Sequence, residues 1–313
     1  MKKIVRPIIV AAMLLGLVSQ QVYAIDTTVI NEKWGKPTVV YGGGLNDQQI
    51  KETSKLLGIK DENTVTTTKA TGEDLVKYLG AGEANTSVMI SSVMVQKRNK
   101  GEGVKVHIAT PKNITLVTSE QYANAAITAG VADAEIEVAA VSKVTGESAL
   151  TGVYKAFEAN GVVLDGKRTA VAQKELELTN QIVQEQSKEK GFDAAKLDQA
   201  MIDIKKSLAE IKEKQGQVAT KEDVERIVNE ALKNYGLDKV ISPTQVNNII
   251  QFALSYQQTS AIDSKQVLEQ LNSLSNTVKG KIGQLVDQAN REGWLDKIVT
   301  FFKEIFNAIF SSK

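Results

Sequence analysis

The 313-residue chain has no cysteine and a single histidine, His107. The first absence excludes disulfide scaffolds, cysteine-ligated zinc, thiol nucleophiles and a lipid-linked N-terminal cysteine. The second excludes histidine-rich metal sites and obliges any histidine-dependent triad to use His107. Several motifs are missing as well. There is no Walker loop, no full G-x-G-x-x-G spacing, no G-x-S-x-G elbow and no EF-hand loop. An LPxTG-type sorting signal and a twin-arginine pair are also lacking. The N-terminal apolar stretch is shorter than the ~20 apolar residues a transmembrane helix needs, and the C-terminal one is interrupted by four charged residues, Asp296, Lys297, Lys303 and Glu304. Aromatic residues make up 5% of the chain, against 42% hydrophobic and 24% charged. That balance is globular, neither collagen-like nor disordered, and the length suits one large domain or two ordinary ones.

What is present begins with residues 1–24, which read as a secretory signal peptide. Lys2, Lys3 and Arg6 form a positive start, an apolar stretch runs from Pro7 to Val18, and Val22-Tyr23-Ala24 offers a cleavage site after Ala24. An uncleaved N-terminal anchor is the alternative. The segment holds three basic side chains and no acid, so its removal takes the net charge from +1 to −2. Neither value provides a general attraction for nucleic acid or an anionic bilayer, and no nucleic-acid partner is expected. Export without cysteine suits a secreted or cell-envelope protein of a Gram-positive bacterium.

Glycine and glutamine divide the remainder. Fifteen glycines lie in 25–166 and six in 167–313, whereas glutamine counts four and fifteen. Glycine punctuates turns between short elements and glutamine suits long helices. The first part mixes signals. Thr38 to Tyr41 is a β-branched run ending at Gly42-Gly43-Gly44, and Asn46 with Gln49 starts a helix that stops at Gly58. Thr71 with Asp74 opens another helix. Val88 to Val95, Val104 to Ile108, Thr115 to Val117 and Ala134 to Val138 are strand-like. Thr118 with Gln121 begins a helix closing at Gly130, and Gly146 to Ala159 reads as one more. From Asp165 onward the pattern is helical. Leu197, Met201, Ile204, Leu208 and Ile211 form one stripe, and Leu271, Leu274, Val278, Ile282 and Leu285 another. Thr220 with Asp223, and Ser242-Pro243-Thr244-Gln245, are helix starts.

The expected fold is therefore an α+β or α/β N-terminal domain with a small central sheet over 25–165. An all-α helical region over 166–290 follows it, and then an amphipathic helix over 291–313. Stripes of three heptads or fewer point to packing in a bundle rather than to a coiled coil between chains.

Some segments recur together in one family. They are Val40-Tyr41-Gly42 with Leu45-Asn46-Asp47-Gln48-Gln49, Asn113-Ile114-Thr115 with Val117-Thr118, and Ala126 to Gly130. The longest runs from Val141-Ser142 through Thr145-Gly146-Glu147-Ser148-Ala149-Leu150-Thr151-Gly152-Val153-Tyr154-Lys155-Ala156. In this order behind a signal peptide, they resemble the YpuA-like predicted secreted proteins of Gram-positive bacteria, domain-of-unknown-function family 1002. The resemblance implies export and overall architecture and carries no reaction with it. Gly43 and Gly44 depart from the acidic turn of that family.

Four places are candidates for function. Gly42, Gly43, Gly44 and Asn46 lie between a strand and a helix start, where backbone amides cradle anions in other folds; the alternative is a simple turn. His107 shares a strand face with Lys105 and reads as a solvated histidine, since no nucleophile or orienting acid is identifiable. Asp133, Glu135 and Glu137 repeat every second residue, about 6.6 Å apart, too far to share one cation, and read as a solvated face. The fourth is the C-terminal segment. Trp294, Ile298, Phe301, Phe302, Ile305, Phe306, Ile309 and Phe310 supply its apolar character. That stripe suits a membrane interface or docking onto the bundle, an envelope protein or a second copy of the chain. No metal and no cofactor are expected. A non-enzymatic binding or surface-interaction role is favoured. The alternative is a secreted hydrolase or small-ligand-binding protein with its site near Gly42 to Gly44.

Overall fold

A computed structural model of the chain describes Ile25 and residues 34–80 and 82–285. The signal-like segment 1–24 and the amphipathic segment 291–313 lie outside the described residues. The β-branched run after Pro37 becomes β1 (Thr38–Gly42). It is followed by α1 (Asp47–Leu56), β2 (Thr66–Ala70), α2 (Gly72–Leu79), β3 (Ser92–Lys97) and β4 (Val104–Ile108). Next come α3 (Ser119–Ala129), β5 (Ala134–Ala139) and α4 (Ser148–Ala159). The strands form one five-stranded sheet of order β2-β1-β3-β5-β4. β1 pairs parallel with β2, and β4 parallel with β5, while β3 runs antiparallel to both β1 and β5. Parallel neighbours require a crossover, and α1 and α3 provide the two.

The period-2 alternation sends side chains to two cores. Val40, Val93, Val95, Ile136 and Val138 join the large cluster that also holds residues of α3 and α4. Val39, Tyr41, Met94 and Ala139 join a smaller one with Leu45, Leu57 and Ile59, around α1. Ile25 belongs to this smaller cluster.

The helix starts follow local chemistry. Capping boxes occur at Asn46 with Gln49, Thr71 with Asp74, Thr118 with Gln121 and Ser242 with Gln245, each satisfying two otherwise orphaned amides. Three strand assignments differ from expectation. Residues Thr86–Val88 form a short 3₁₀ turn in which the Asn85 side chain accepts from the Ser87 amide, so β3 begins only at Ser92. Among the described residues the stretch Thr115 to Val117 has no strand partner, and an isolated bridge between Ile114 and Val144 forms beside it. Thr66–Ala70, not anticipated, is an edge strand held in register by β1.

The second part is all helix among the described residues: α5 (Gly166–Gln186), α6 (Ala194–Gln215), α7 (Lys221–Asn234), α8 (Pro243–Tyr256) and α9 (Lys265–Leu285). The change in composition falls at the start of α5, yet the buried cluster runs across it, from Val40 to Ile282. α5 packs on α2 and α3, and α6 touches α3, α5, α7, α8 and α9. Enclosure by these helices explains why α6 buries its expected stripe and also Asp198, Gln199, Asp203 and Lys205.

Candidate functional site

The Gly42–Gly44 loop lies at the end of β1, pressed against residues 86–90. The Gly42 amide donates to Ser92 Oγ (3.1 Å), Gly43 to the Ala70 carbonyl (2.8 Å) and Gly44 to the Met89 carbonyl (3.0 Å). A Cβ on Gly42 would stand 2.2 Å from the Met89 carbonyl oxygen, and one on Gly44 2.6 Å from that of Ser87. None of the three has a positive φ. Glycine is needed here for close backbone approach, and these three amides are committed to the fold. Asn46 spends its side chain on the α1 cap, accepting from the Gln49 amide at 2.9 Å.

Asp133, just before β5, and Glu135 and Glu137 within it each have their own partners, in place of the solvated face read from the sequence. Asp133, at φ 46°, accepts from the amides of Gly101 (3.0 Å) and Gly103 (3.1 Å). Glu135 pairs with Arg98. Glu137 is 2% exposed and lies opposite His107 in the parallel β4–β5 register, with Nδ1 3.5 Å from Oε1. Its other oxygen accepts from the Ile25 amide at 3.4 Å. Burial raises the Glu137 carboxyl to about 7, opposed by that amide. Burial also lowers the His107 imidazole, so the pair is biased toward its neutral forms.

A second polar cluster sits between the sheet domain and the bundle. Lys205 Nζ donates to Glu175 Oε1 (2.7 Å), Asn124 Oδ1 (2.6 Å) and Thr128 Oγ1 (2.9 Å). Thr128 donates in turn to Glu175 Oε2 at 2.6 Å. The Tyr256 ring centroid lies 5.8 Å from the ammonium. Desolvation lowers the Lys205 pKa while the Glu175 carboxylate opposes it. Beside this cluster, the fully enclosed Asp198 carboxyl is raised well above its ordinary range by burial and by Glu120, with Thr118 Oγ1 donating at 3.2 Å. Asp203 is raised by burial against a 2.5 Å hydrogen bond from Tyr235. The sequence shows none of this. On a helical wheel these residues look like the solvated side of α6, and only the packing of helices around it reveals otherwise.

An open groove of about 310 Å³ runs between α5 and α8. Val171, Leu178 and Phe252 give it apolar walls, while Gln181, Asn248 and Gln251 supply carboxamides. Glu177 also lines it, its carboxyl raised by burial and lowered by Gln173. Among the described residues, no group of three or more His, Asp or Glu side chains converges as a metal site, and no helix is long and apolar enough to cross a membrane. The aromatic C-terminal residues Trp294 to Phe310 lie outside the described residues.

The family model for a protein of unknown function, DUF1002, matches residues 41–274. The chain belongs to this family. The matched span begins at the last two residues of β1 and ends within α9, so it takes in β2 to β5, both crossover helices and α4 to α8. The uncharacterized protein YpuA of Bacillus subtilis (strain 168) is 31% identical over 320 residues, covering 99% of each chain. No solved structure matches this chain.

Proposed function

We propose that the protein is exported and acts at the cell envelope as a binding or surface-interaction protein, with residues 294–310 making the docking contact. One contrast carries this reading. The described body closes over its own apolar surface, with Val88 and Val163 as its exposed large hydrophobic residues. The sequence meanwhile places five of the sixteen aromatic side chains between Trp294 and Phe310. An apolar helix with a charged opposite side gains by burial against a membrane interface or a protein groove. The committed amides of Gly42 to Gly44 favour this reading over a hydrolase centred on that loop.

The test is flotation of the mature chain on liposomes, with and without 294–310, alongside fractionation of cells making the full chain. Binding that needs the segment, with protein recovered outside the cytoplasm, supports the proposal. Equal flotation of both chains removes the membrane role, and cytoplasmic retention removes export.

A further inference from the structure

We infer that cleavage after Ala24 creates a buried ion pair in which the new α-ammonium group of Ile25 seats against the Glu137 carboxylate. The inference rests on the export reading above. Two independent observations meet at one atom. The order of charged, apolar and small residues in 1–24 puts the first mature residue at Ile25. The fold puts the Ile25 nitrogen 3.4 Å from Glu137 Oε2, with the Ile25 side chain buried beside Val39, Tyr41, Met94 and Ala139.

Glu137 needs such a partner to be held as a carboxylate. A carboxylate withdrawn from water must be protonated, paired or well hydrogen-bonded. Three elements bring groups against it. β4 brings His107, whose imidazole is held toward its neutral form by burial. β3 brings Met94, which has no charge. The N-terminal segment brings the Ile25 nitrogen. One register step away, Glu135 is committed to Arg98, and Lys105 stands opposite Glu135 rather than Glu137. Among the described residues, His107 is the titratable side chain paired with Glu137, and its burial disfavours the charged imidazolium.

In the precursor the Ile25 nitrogen is a neutral peptide amide with one proton. A signal peptidase hydrolyses the bond with one water. The C–N bond from Ala24 to Ile25 breaks, the water oxygen stays on Ala24 as a carboxylate, and the Ile25 nitrogen becomes an ammonium group. An α-amine has an ordinary pKa of about 8, so it is charged at neutral pH, and a carboxylate partner raises that value further. Removal of the signal thereby supplies a full positive charge beside Glu137, where the fold otherwise places a histidine held toward its neutral form, and the mature fold is more stable than the precursor's.

The experiment compares the chain 25–313, beginning at Ile25, with the same chain carrying one added alanine in front, each with Glu137 and with Glu137→Gln. At pH 7 the chain beginning at Ile25 should melt about 5 °C higher than its extended counterpart. The difference should vanish with Glu137→Gln and shrink at pH 10, where the amine loses its proton. Amide exchange in β4 and β5 should slow only in the chain that begins at Ile25 with Glu137 intact. Equal melting of the two native-background chains, or a difference that survives Glu137→Gln, overturns the inference. N-terminal sequencing of exported protein should begin at Ile25; any other first residue overturns the inference even where export succeeds. Failure of export, with the pair intact in vitro, overturns the export reading alone.

Discussion

Lys205 and Glu175 form an ion pair of 2.7 Å with both side chains sealed from solvent. They join α6 to α5, and through Asn124 and Thr128 they also hold α3, the crossover helix of the β4–β5 unit. The pair ties the helical bundle to the sheet domain.

Loss of one partner leaves an uncompensated charge. Lys205→Ala should lower stability by roughly 3–5 kcal/mol, because the stranded Glu175 carboxylate remains buried. The double variant Lys205→Met with Glu175→Leu should recover most of that loss, since apolar residues of similar volume replace a desolvated pair at little cost. Denaturant midpoints of the three chains measure both effects. Equal destabilisation by the single and double changes would count against this account.

Asp198 sets a pH dependence of definite sign. Its folded-state pKa is raised above the ordinary 3.8 by burial and by Glu120. Below 3.8 the carboxyl is protonated in both folded and unfolded chains and costs nothing. As pH rises past 3.8 the unfolded chain ionises first, so this group's penalty grows until the folded pKa is passed. Asp198→Asn should flatten that decline, changing stability little near pH 3 and raising it at pH 7. Thermal melts across pH 3–8 read the slopes, and parallel curves for the two chains would rule the effect out.

The Gly42 site distinguishes packing from anion binding. Gly42→Ala forces a methyl group against the Met89 carbonyl and should cost roughly 1–3 kcal/mol of stability. Gly166→Ala, at the first turn of α5 with open space around its Cβ, should be neutral or slightly stabilising. Chemical denaturation of both variants checks this; a Gly42→Ala chain as stable as the parent would show that the close approach relaxes freely.

Ser242→Ala removes one side of the α8 capping box, in which Ser242 Oγ accepts from the Gln245 amide at 3.3 Å. The expected loss is about 1 kcal/mol. Ser242→Asp should restore most of it, because the aspartate oxygen also accepts and favours the positive helix end. Melting temperatures of the parent and both variants provide the comparison.

Much of the fold is legible residue by residue. Asn46, Thr71, Thr118 and Ser242 each announce a helix because a cap and its answering residue lie three positions apart. The alternation at Ala134, Ile136 and Val138 announces β5 in the same way. Thr66–Ala70 escapes notice because it carries little apolar periodicity and is a strand only through its pairing with β1. Thr115 to Val117 has β-prone residues without a neighbouring strand among the described residues.

The candidate sites were less legible, for a related reason. From sequence alone, Glu137 and Lys205 look like members of ordinary solvated faces. Glu137 is enclosed by Ile25, a residue 112 positions away, and Lys205 by Glu175 and Asn124, which are 30 and 81 positions away. The sequence by itself determined helix starts, strand alternation, the division of composition near residue 166 and the expectation of export, because each depends on residues within a few positions of one another. Tertiary structure alone decided which carboxylates lose water and what faces them. Desolvation is set by neighbours brought together from distant parts of the chain, and no local pattern encodes it.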